Sequence, residues 1–169
     1  MLYLTEFKPI ERSLLPVRNG NLLNLKQPFS QAAGYWDGSD GKDAAGHAIF
    51  GAQMQAYVYR AFARLCYRYV VHHGLTTCAA FFDRYAPEGD MANNPAGYAD
   101  FVETHAGIRR LKFFDSNGMI QHDQRMKFVR FAQVMIEMEV MRHWRVDCDA
   151  IHNGVALYNR DRGRRHWKD

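Results

Sequence analysis

Hydrophobic residues recur at helical spacing over two long stretches of the chain. The first stretch covers residues 52–73, and its apolar positions at intervals of four are Tyr57, Ala61, Leu65 and Tyr69. The second runs from about residue 123 to 144, and its apolar positions are Phe128, Phe131, Val134, Met135, Met138 and Met141. Because residues three and four apart share one face of an α-helix, both patterns predict long amphipathic helices that contribute to the core.

Two shorter helices are predicted between these stretches. Thr77 is a good N-cap for a helix over residues 78–85, and Pro87 prevents that helix from continuing. Asn94 followed by Pro95 is typical of the start of the next helix. The acidic, amide-rich loop between them would present carboxylates and amides at a surface or cleft, although the same residues also suit an ordinary connection between helices.

The N-terminal third has a different character. Residues 1–35 show no helical period, and residues 34–51 are rich in glycine and aspartate. The stretch from Asp37 to Asp43 lacks the alternating ligands and the closing glutamate of a calcium loop, so it predicts a hairpin or lid. The fold class expected from these patterns is mainly α, a single helical domain with irregular N-terminal and Gly-rich segments.

Composition and motifs narrow the range of functions. The chain has 169 residues, of which 47% are hydrophobic, as expected for one globular domain. Its three cysteines lack CxxC spacing, which argues against a zinc site or a disulfide framework, and Cys66 and Cys78 fall within apolar helical patterns. Nucleotide-binding, metalloprotease and serine-hydrolase motifs are missing, so no cofactor and no metal are expected. We expect no membrane span and no signal peptide.

Basic residues crowd the end of the chain. The net charge is +4, and the cations of the last ten residues are Arg160, Arg162, Arg164, Arg165 and Lys168. This distribution predicts a basic C-terminal extension over residues 146–169, following a domain over residues 1–145. Such a tail can contact DNA or another polyanion, or it can simply be solvated.

Two glutamates, Glu137 and Glu139, lie within the apolar run of the second long helix. A carboxyl group in apolar surroundings has a raised pKa, as a general acid for glycoside cleavage requires. Exposed helical Glu–Arg pairs are common, however, and exposure to solvent or pairing with Arg142 or Lys127 explains one or both glutamates more simply. The sequence alone therefore favours exposed or paired positions for one or both.

Three ordered stretches carry a resemblance to a known family. They are RNGNLLNLK at residues 18–26, then Trp36-x-Gly38 with Asp43 and Ala48-Ile49-Phe50, then residues 76–98 around Arg84-Tyr85-Ala86-Pro87. This order resembles the small lysozyme-like proteins of tailed phages, which are often labelled virion or structural proteins and are predicted to degrade peptidoglycan. The long helix ending near Glu137 and Glu139 resembles the closing helix of that family. The chain departs from the family at Leu22, where a proline is usual, and at Gln53, where a phenylalanine is usual.

The resemblance implies a lysozyme-like helical domain that acts as a glycan-strand hydrolase or lytic transglycosylase on peptidoglycan. The implied catalytic residues are Glu11 as the acid, and Asp43 or Asp90 as the second group. The implied substrate-binding residues are Asn24, Trp36, Tyr85, Asn94 and Tyr98. Such a protein would reside in a virion, or in the host cytoplasm before release, and would act at the bacterial cell wall and periplasm.

Two alternatives remain open from the sequence. The first alternative is a non-enzymatic virion component that kept the lysozyme-like scaffold, such as a tail, portal-associated or ejected protein, which would contact other virion proteins. The same glycan chemistry would also serve a bacterial toxin delivered into the periplasm of a competitor.

Overall fold

The computed structural model describes residues 19–26, 38–51, 54–89, 93–140 and 147–164. Within these ranges the chain is mainly helical, which confirms the predicted fold class at this level. The elements in chain order are β1 (Ser39–Lys42), β2 (Ala48–Phe50), α1 (Gln55–Tyr67), α2 (Cys78–Tyr85), α3 (Pro95–Ala106), α4 (Arg125–Val140) and α5 (Cys148–Arg162). A π-helical turn over Arg68–His72 continues α1.

The predicted apolar stripe of α4 packs in the core against Phe62, which follows directly after Ala61 of the predicted α1 stripe. Within that α1 stripe Ala61 is buried, whereas Tyr57, Leu65 and Tyr69 are partly exposed. Phe62 of α1 lies with its ring centroid 5.8 Å from that of Phe128 and 5.7 Å from that of Phe131, both on α4. All three side chains are buried. Aromatic packing therefore joins α1 and α4. Residues of α4 on the same face as Phe128 and Phe131 point into the interior.

Thr77 and Asn94 are the N-cap residues of α2 and α3, as the sequence predicted. Thr77 Oγ1 accepts a hydrogen bond of 3.3 Å from the backbone N–H of Ala80, and Asn94 Oδ1 accepts one of 2.9 Å from Gly97. Gly107 ends α3 in the left-handed conformation, with φ of 69°. These local interactions fix where α2 and α3 begin and where α3 ends.

The N-terminal segment over residues 19–26 packs beside a two-stranded antiparallel hairpin, β1–β2. The backbone N–H of Phe50 donates to the Asn19 carbonyl at 2.8 Å, and that of Ala48 donates to the Leu25 carbonyl at the same distance. The buried Asn21 amide donates to the carbonyls of Leu25 and Ala48, at 2.8 and 3.0 Å. The segment thus extends the hairpin on one side and presents its other side to the helices.

Helix α5 belongs to the core. Ile151, Val155 and Tyr158 are fully buried, and α5 packs mainly against α1. At the crossing, Arg60 Nε on α1 lies 2.5 Å from the carboxylate of Asp161, and both side chains are almost completely enclosed. The range 146–169, predicted as a basic extension outside the helical domain, therefore contains a helix that completes the domain.

Candidate functional site

Glu139 lies in the last turn of α4, half-buried among apolar neighbours. Burial raises the pKa of its carboxyl group from the usual 4.5 to about 7, because desolvation penalises the charged form. The expected exposed position is therefore wrong for Glu139. Glu137, two residues earlier, lies 3.9 Å from Arg130 on the same helix. The sequence predicted an ion pair here, but with Arg142 or Lys127 as the partner.

Two tyrosines from neighbouring helices share the surroundings of Glu139. Burial raises the pKa of the Tyr85 phenol on α2 well above its ordinary value, and the Glu139 carboxylate raises it further. The pKa of Tyr98 on α3 is raised by the same two causes in the same order. The charge of Glu139 acts on both phenols, and the rings of Tyr85 and Tyr98 both pack against that of Phe82, with centroids 6.1 and 5.9 Å apart. We name Glu139, Tyr85 and Tyr98 together the acid cluster.

Tyr85 connects the acid cluster to the N-terminal segment. Its hydroxyl donates a short hydrogen bond to the backbone carbonyl of Leu23. Its ring stacks on that of Phe81, with centroids 5.5 Å apart and planes inclined by 20°. The phenol proton is thus directed to a backbone oxygen, and Tyr85 holds the segment against α2 while its ring forms part of the cluster.

Tyr98 and the loop before α3 provide the polar side of the cluster. The Tyr98 hydroxyl donates to Asn93 Oδ1 at 3.3 Å, a long hydrogen bond, and its ring packs near Phe82 at 5.9 Å between centroids. The neighbouring Asn94 is exposed and uses its side-chain oxygen to cap α3. Of the predicted substrate-binding residues, Tyr85 and Tyr98 are brought together, and Asn94 lies at the rim beside Asn93.

Asn24 follows directly after the residue that Tyr85 holds. It adopts the left-handed conformation with φ of 50°, which few residues other than glycine adopt at low cost. Its backbone N–H donates to the Asn21 carbonyl at 2.8 Å. Its side-chain Oδ1 is enclosed and has no hydrogen-bond partner in the part of the chain that the structure describes.

Asp43, predicted as the second catalytic group, lies in the hairpin turn. Its carboxylate accepts hydrogen bonds of 2.9 Å from the backbone N–H groups of Ala45 and His47 and from the Asn19 amide, and it lies 3.3 Å from His47 Nδ1. Burial acts to raise the pKa of Asp43, but these hydrogen bonds and the His47 ring outweigh it, and the pKa is lowered. The carboxylate is thus ionised at neutral pH, and its hydrogen bonds hold the turn together.

Three predicted site residues, Glu11, Asp90 and Trp36, lie outside the described residues. Among the residues that are described, no group of three or more histidine, cysteine, aspartate or glutamate side chains could hold a metal ion. None of the described helices is long and apolar enough to cross a membrane. The described groups of the acid cluster and its rim are one protonatable carboxyl group, two phenols and the amides of Asn93 and Asn94.

Sequence reasoning considered Glu139 but did not select it, although a usable signal was present. Glu139 follows Phe131 and Met135 at intervals of four, and both of those side chains are fully buried. Glu137 falls between these positions. Helical geometry alone therefore places Glu139 on the buried face and Glu137, about 200° further round the helix, on the opposite side.

Comparison with known proteins identifies no family for this chain. No protein-family model matches it, and no curated protein sequence matches it at a significant level.

Proposed function

We propose that the protein cleaves the glycan strand of peptidoglycan and that Glu139 is the general acid. The observation that carries the proposal is the acid cluster, in which burial raises the pKa of the Glu139 carboxyl group to about 7 and its charge acts on the phenols of Tyr85 and Tyr98. Near neutral pH a large fraction of such a carboxyl group is protonated and can donate a proton to a glycosidic oxygen. The resemblance to lysozyme-like phage proteins supports the same reaction, although the acid that it implied is Glu11, which lies outside the described residues.

The surroundings of Glu139 suit a sugar polymer. Aromatic rings such as that of Tyr98 pack against the apolar faces of sugars, and amides such as Asn93 bind hydroxyl and acetamido groups. The second step of the reaction is completed by another carboxylate or by the substrate's own acetamido or hydroxyl group. Asp90 is our candidate for that carboxylate, because Asp43 is engaged in the hairpin turn.

The test is release of fragments from purified peptidoglycan by the full-length protein at micromolar concentration. We expect Glu139→Gln to lower the turnover by about 100-fold or more, the usual contribution of a general acid. Glu137→Gln is the matched control, because it makes the same change two residues away on the same helix, and it should retain wild-type turnover. The masses of the fragments identify the reaction, since anhydro-muramyl ends indicate a lytic transglycosylase and reducing ends indicate a hydrolase.

Two results would reject this proposal. One is equal turnover by the wild-type protein and the Glu139→Gln variant. The other is no release by the folded wild-type protein from walls of several chemotypes. The second result would favour the non-enzymatic virion component, which would use the same fold to contact other virion proteins.

A further inference from the structure

The π-helical turn that continues α1 brings two basic side chains towards one side of the helix. The backbone N–H of His73 donates to the carbonyl of Arg68, five residues earlier, at 3.1 Å. In an α-helix, residues five apart point about 140° away from each other, and the wider turn reduces this angle. Both Arg68 and His73 are exposed. Turns of this kind are rare and frequently lie at functional sites.

Helix α2 adds a third basic side chain. The guanidinium carbon of Arg84 lies 5.3 Å from the centroid of the Tyr69 ring, and the His73 ring lies 6.2 Å from the same ring. Packing against an aromatic ring holds a guanidinium group in place while its N–H donors stay available. Arg84 is exposed as well. We name Arg68, His73 and Arg84 together the basic patch.

The charge of the basic patch is not balanced within the described part of the chain. Neither Arg68 nor Arg84 forms an ion pair with a described acidic residue. The pKa of the His73 imidazole is lowered, first by desolvation and then by the positive charges of Arg84, Arg68 and His72. Because cations that lie close together repel each other, an anion bound among them would be favoured.

A series of ring contacts relates the basic patch to the acid cluster. The Tyr69 ring lies 5.5 Å from that of Phe81, and the Phe81 ring lies 5.5 Å from that of Tyr85. Two successive ring contacts thus separate the ring under Arg84 from a member of the acid cluster. An extended chain of four residues spans up to about 14 Å, so a short peptide attached to a sugar at the acid cluster is long enough to reach the basic patch.

We infer that the basic patch binds a carboxylate of the peptidoglycan stem peptide. This inference rests on the proposed function, because it names a second part of the same substrate. The stem peptide is attached to a sugar of the strand and carries free carboxylates close to the glycosidic bonds. Two guanidinium groups and an imidazole N–H are donors that a carboxylate accepts, and such charge-assisted hydrogen bonds are strong.

Binding of defined compounds tests this inference. The full-length protein would be titrated by calorimetry with the disaccharide tetrapeptide of peptidoglycan, with the same compound whose stem carboxylates are converted to amides, and with a short polyglycerol phosphate. We expect amidation to weaken binding at least about tenfold, because it removes the charge-assisted hydrogen bonds. Tighter binding of the phosphate polymer than of the disaccharide tetrapeptide would overturn the assignment to a carboxylate.

The variant Arg84→Gln locates the effect. It removes one guanidinium group from an exposed position, so the Tm should stay near that of the wild type while the preference for the natural compound over the amidated one disappears. Arg160→Gln is the matched control, because it makes the same change at an exposed arginine on α5, beside Asp161. The control should keep the preference. An equal loss in both variants would indicate a general effect of net charge and would overturn the inference, as would an unchanged preference in Arg84→Gln.

Failure of this inference and failure of the proposed function give different results. If Glu139→Gln abolishes wall cleavage but amidation leaves binding unchanged, only the role of the basic patch is wrong. If amidation weakens binding through Arg84 but Glu139→Gln cleaves walls at the wild-type rate, only the role of Glu139 is wrong. If the wild-type protein does not bind the disaccharide tetrapeptide, the role of the basic patch is wrong, and wall cleavage alone judges Glu139.

Discussion

A carboxyl group whose pKa rises from 4.5 to about 7 on folding makes the free energy of unfolding depend on pH. Between these two values the folded chain keeps a proton on Glu139 that the unfolded chain has released. The stability that this group contributes is thus complete below pH 4.5 and is lost as the pH rises through about 7. Allowing for partial solvent exposure, we expect a loss of about 2 kcal/mol across this window.

Chemical denaturation at several values between pH 4.5 and 8 measures this effect. In Glu139→Gln the decline attributable to this group should disappear, so the variant gains stability relative to the wild type as the pH rises. Glu137→Gln should retain the wild-type decline. A parallel pH dependence for the wild type and Glu139→Gln would show that the carboxyl group is not buried as described.

Asp43 has a pH dependence of opposite sign. Its folded pKa lies below 3.8, so the stability that it contributes is present above that value and is lost as the pH falls through the folded pKa. We expect Asp43→Asn to cost about 1–2 kcal/mol at pH 7, since the amide replaces an acceptor of several hydrogen bonds. Denaturation at pH 7 and near pH 3 would show the difference shrinking at the lower pH. An Asp43→Asn variant that keeps its stability but loses wall cleavage would instead indicate that Asp43 takes part in the reaction.

At the scale of elements, the close crossing of α1 and α5 requires glycine at position 154. A Cβ atom at Gly154 would lie 2.5 Å from Tyr59 Cβ and 2.7 Å from the Ala56 carbonyl oxygen. Gly154→Ala should therefore cost about 1–3 kcal/mol through overpacking, more than the gain of about 1 kcal/mol in helix propensity. Thermal unfolding measures the cost, and Gly163→Ala is the control, because its nearest neighbour would be 3.5 Å away. Equal stability of the two variants would contradict the tight crossing.

The elements themselves were largely predictable because their signals are local. Thr77, Asn94 and Gly107 define helix ends through contacts within about four residues, which the sequence displays directly. The convergence of Tyr85, Tyr98 and Glu139 depends on how three helices pack, and no local pattern encodes that. Asn24 was expected at the site from the resemblance, but its enclosed oxygen is a property of the folded segment alone.

At the scale of the whole molecule, the arginines near the C-terminus are used within the fold. Arg162 packs over the Tyr67 ring at 4.2 Å and donates to the Asn117 carbonyl at 3.0 Å. Arg160 and Arg164 lie 3.3 and 3.8 Å from the Asp161 carboxylate. Arg160 and Arg164 are more than half exposed and share the single Asp161 carboxylate with Arg60, so this end of the fold keeps a net positive charge, and DNA contact by the tail stays a proposal.

Truncation distinguishes an extension from a structural helix. A chain that ends at residue 145 lacks α5, which exposes the face of α1 that α5 covers and removes the buried side chains of Ile151, Val155 and Tyr158. The hydrogen bond of 2.6 Å from the Tyr158 hydroxyl to the Gly118 carbonyl is lost as well. Burial of each large apolar side chain contributes about 1.5–3 kcal/mol, so the total loss is comparable to the whole stability of many domains.

We therefore expect the chain of residues 1–145 to lack a cooperative thermal transition, whereas a chain that ends at residue 164 should unfold cooperatively near the wild-type Tm. Circular dichroism during heating measures both. Arg60→Met in the full-length chain is a useful companion, because it leaves Asp161 with only its partly exposed partners and should destabilise without abolishing folding. A cooperative transition for residues 1–145 would establish that the domain ends before α5 and that this helix is an appendage.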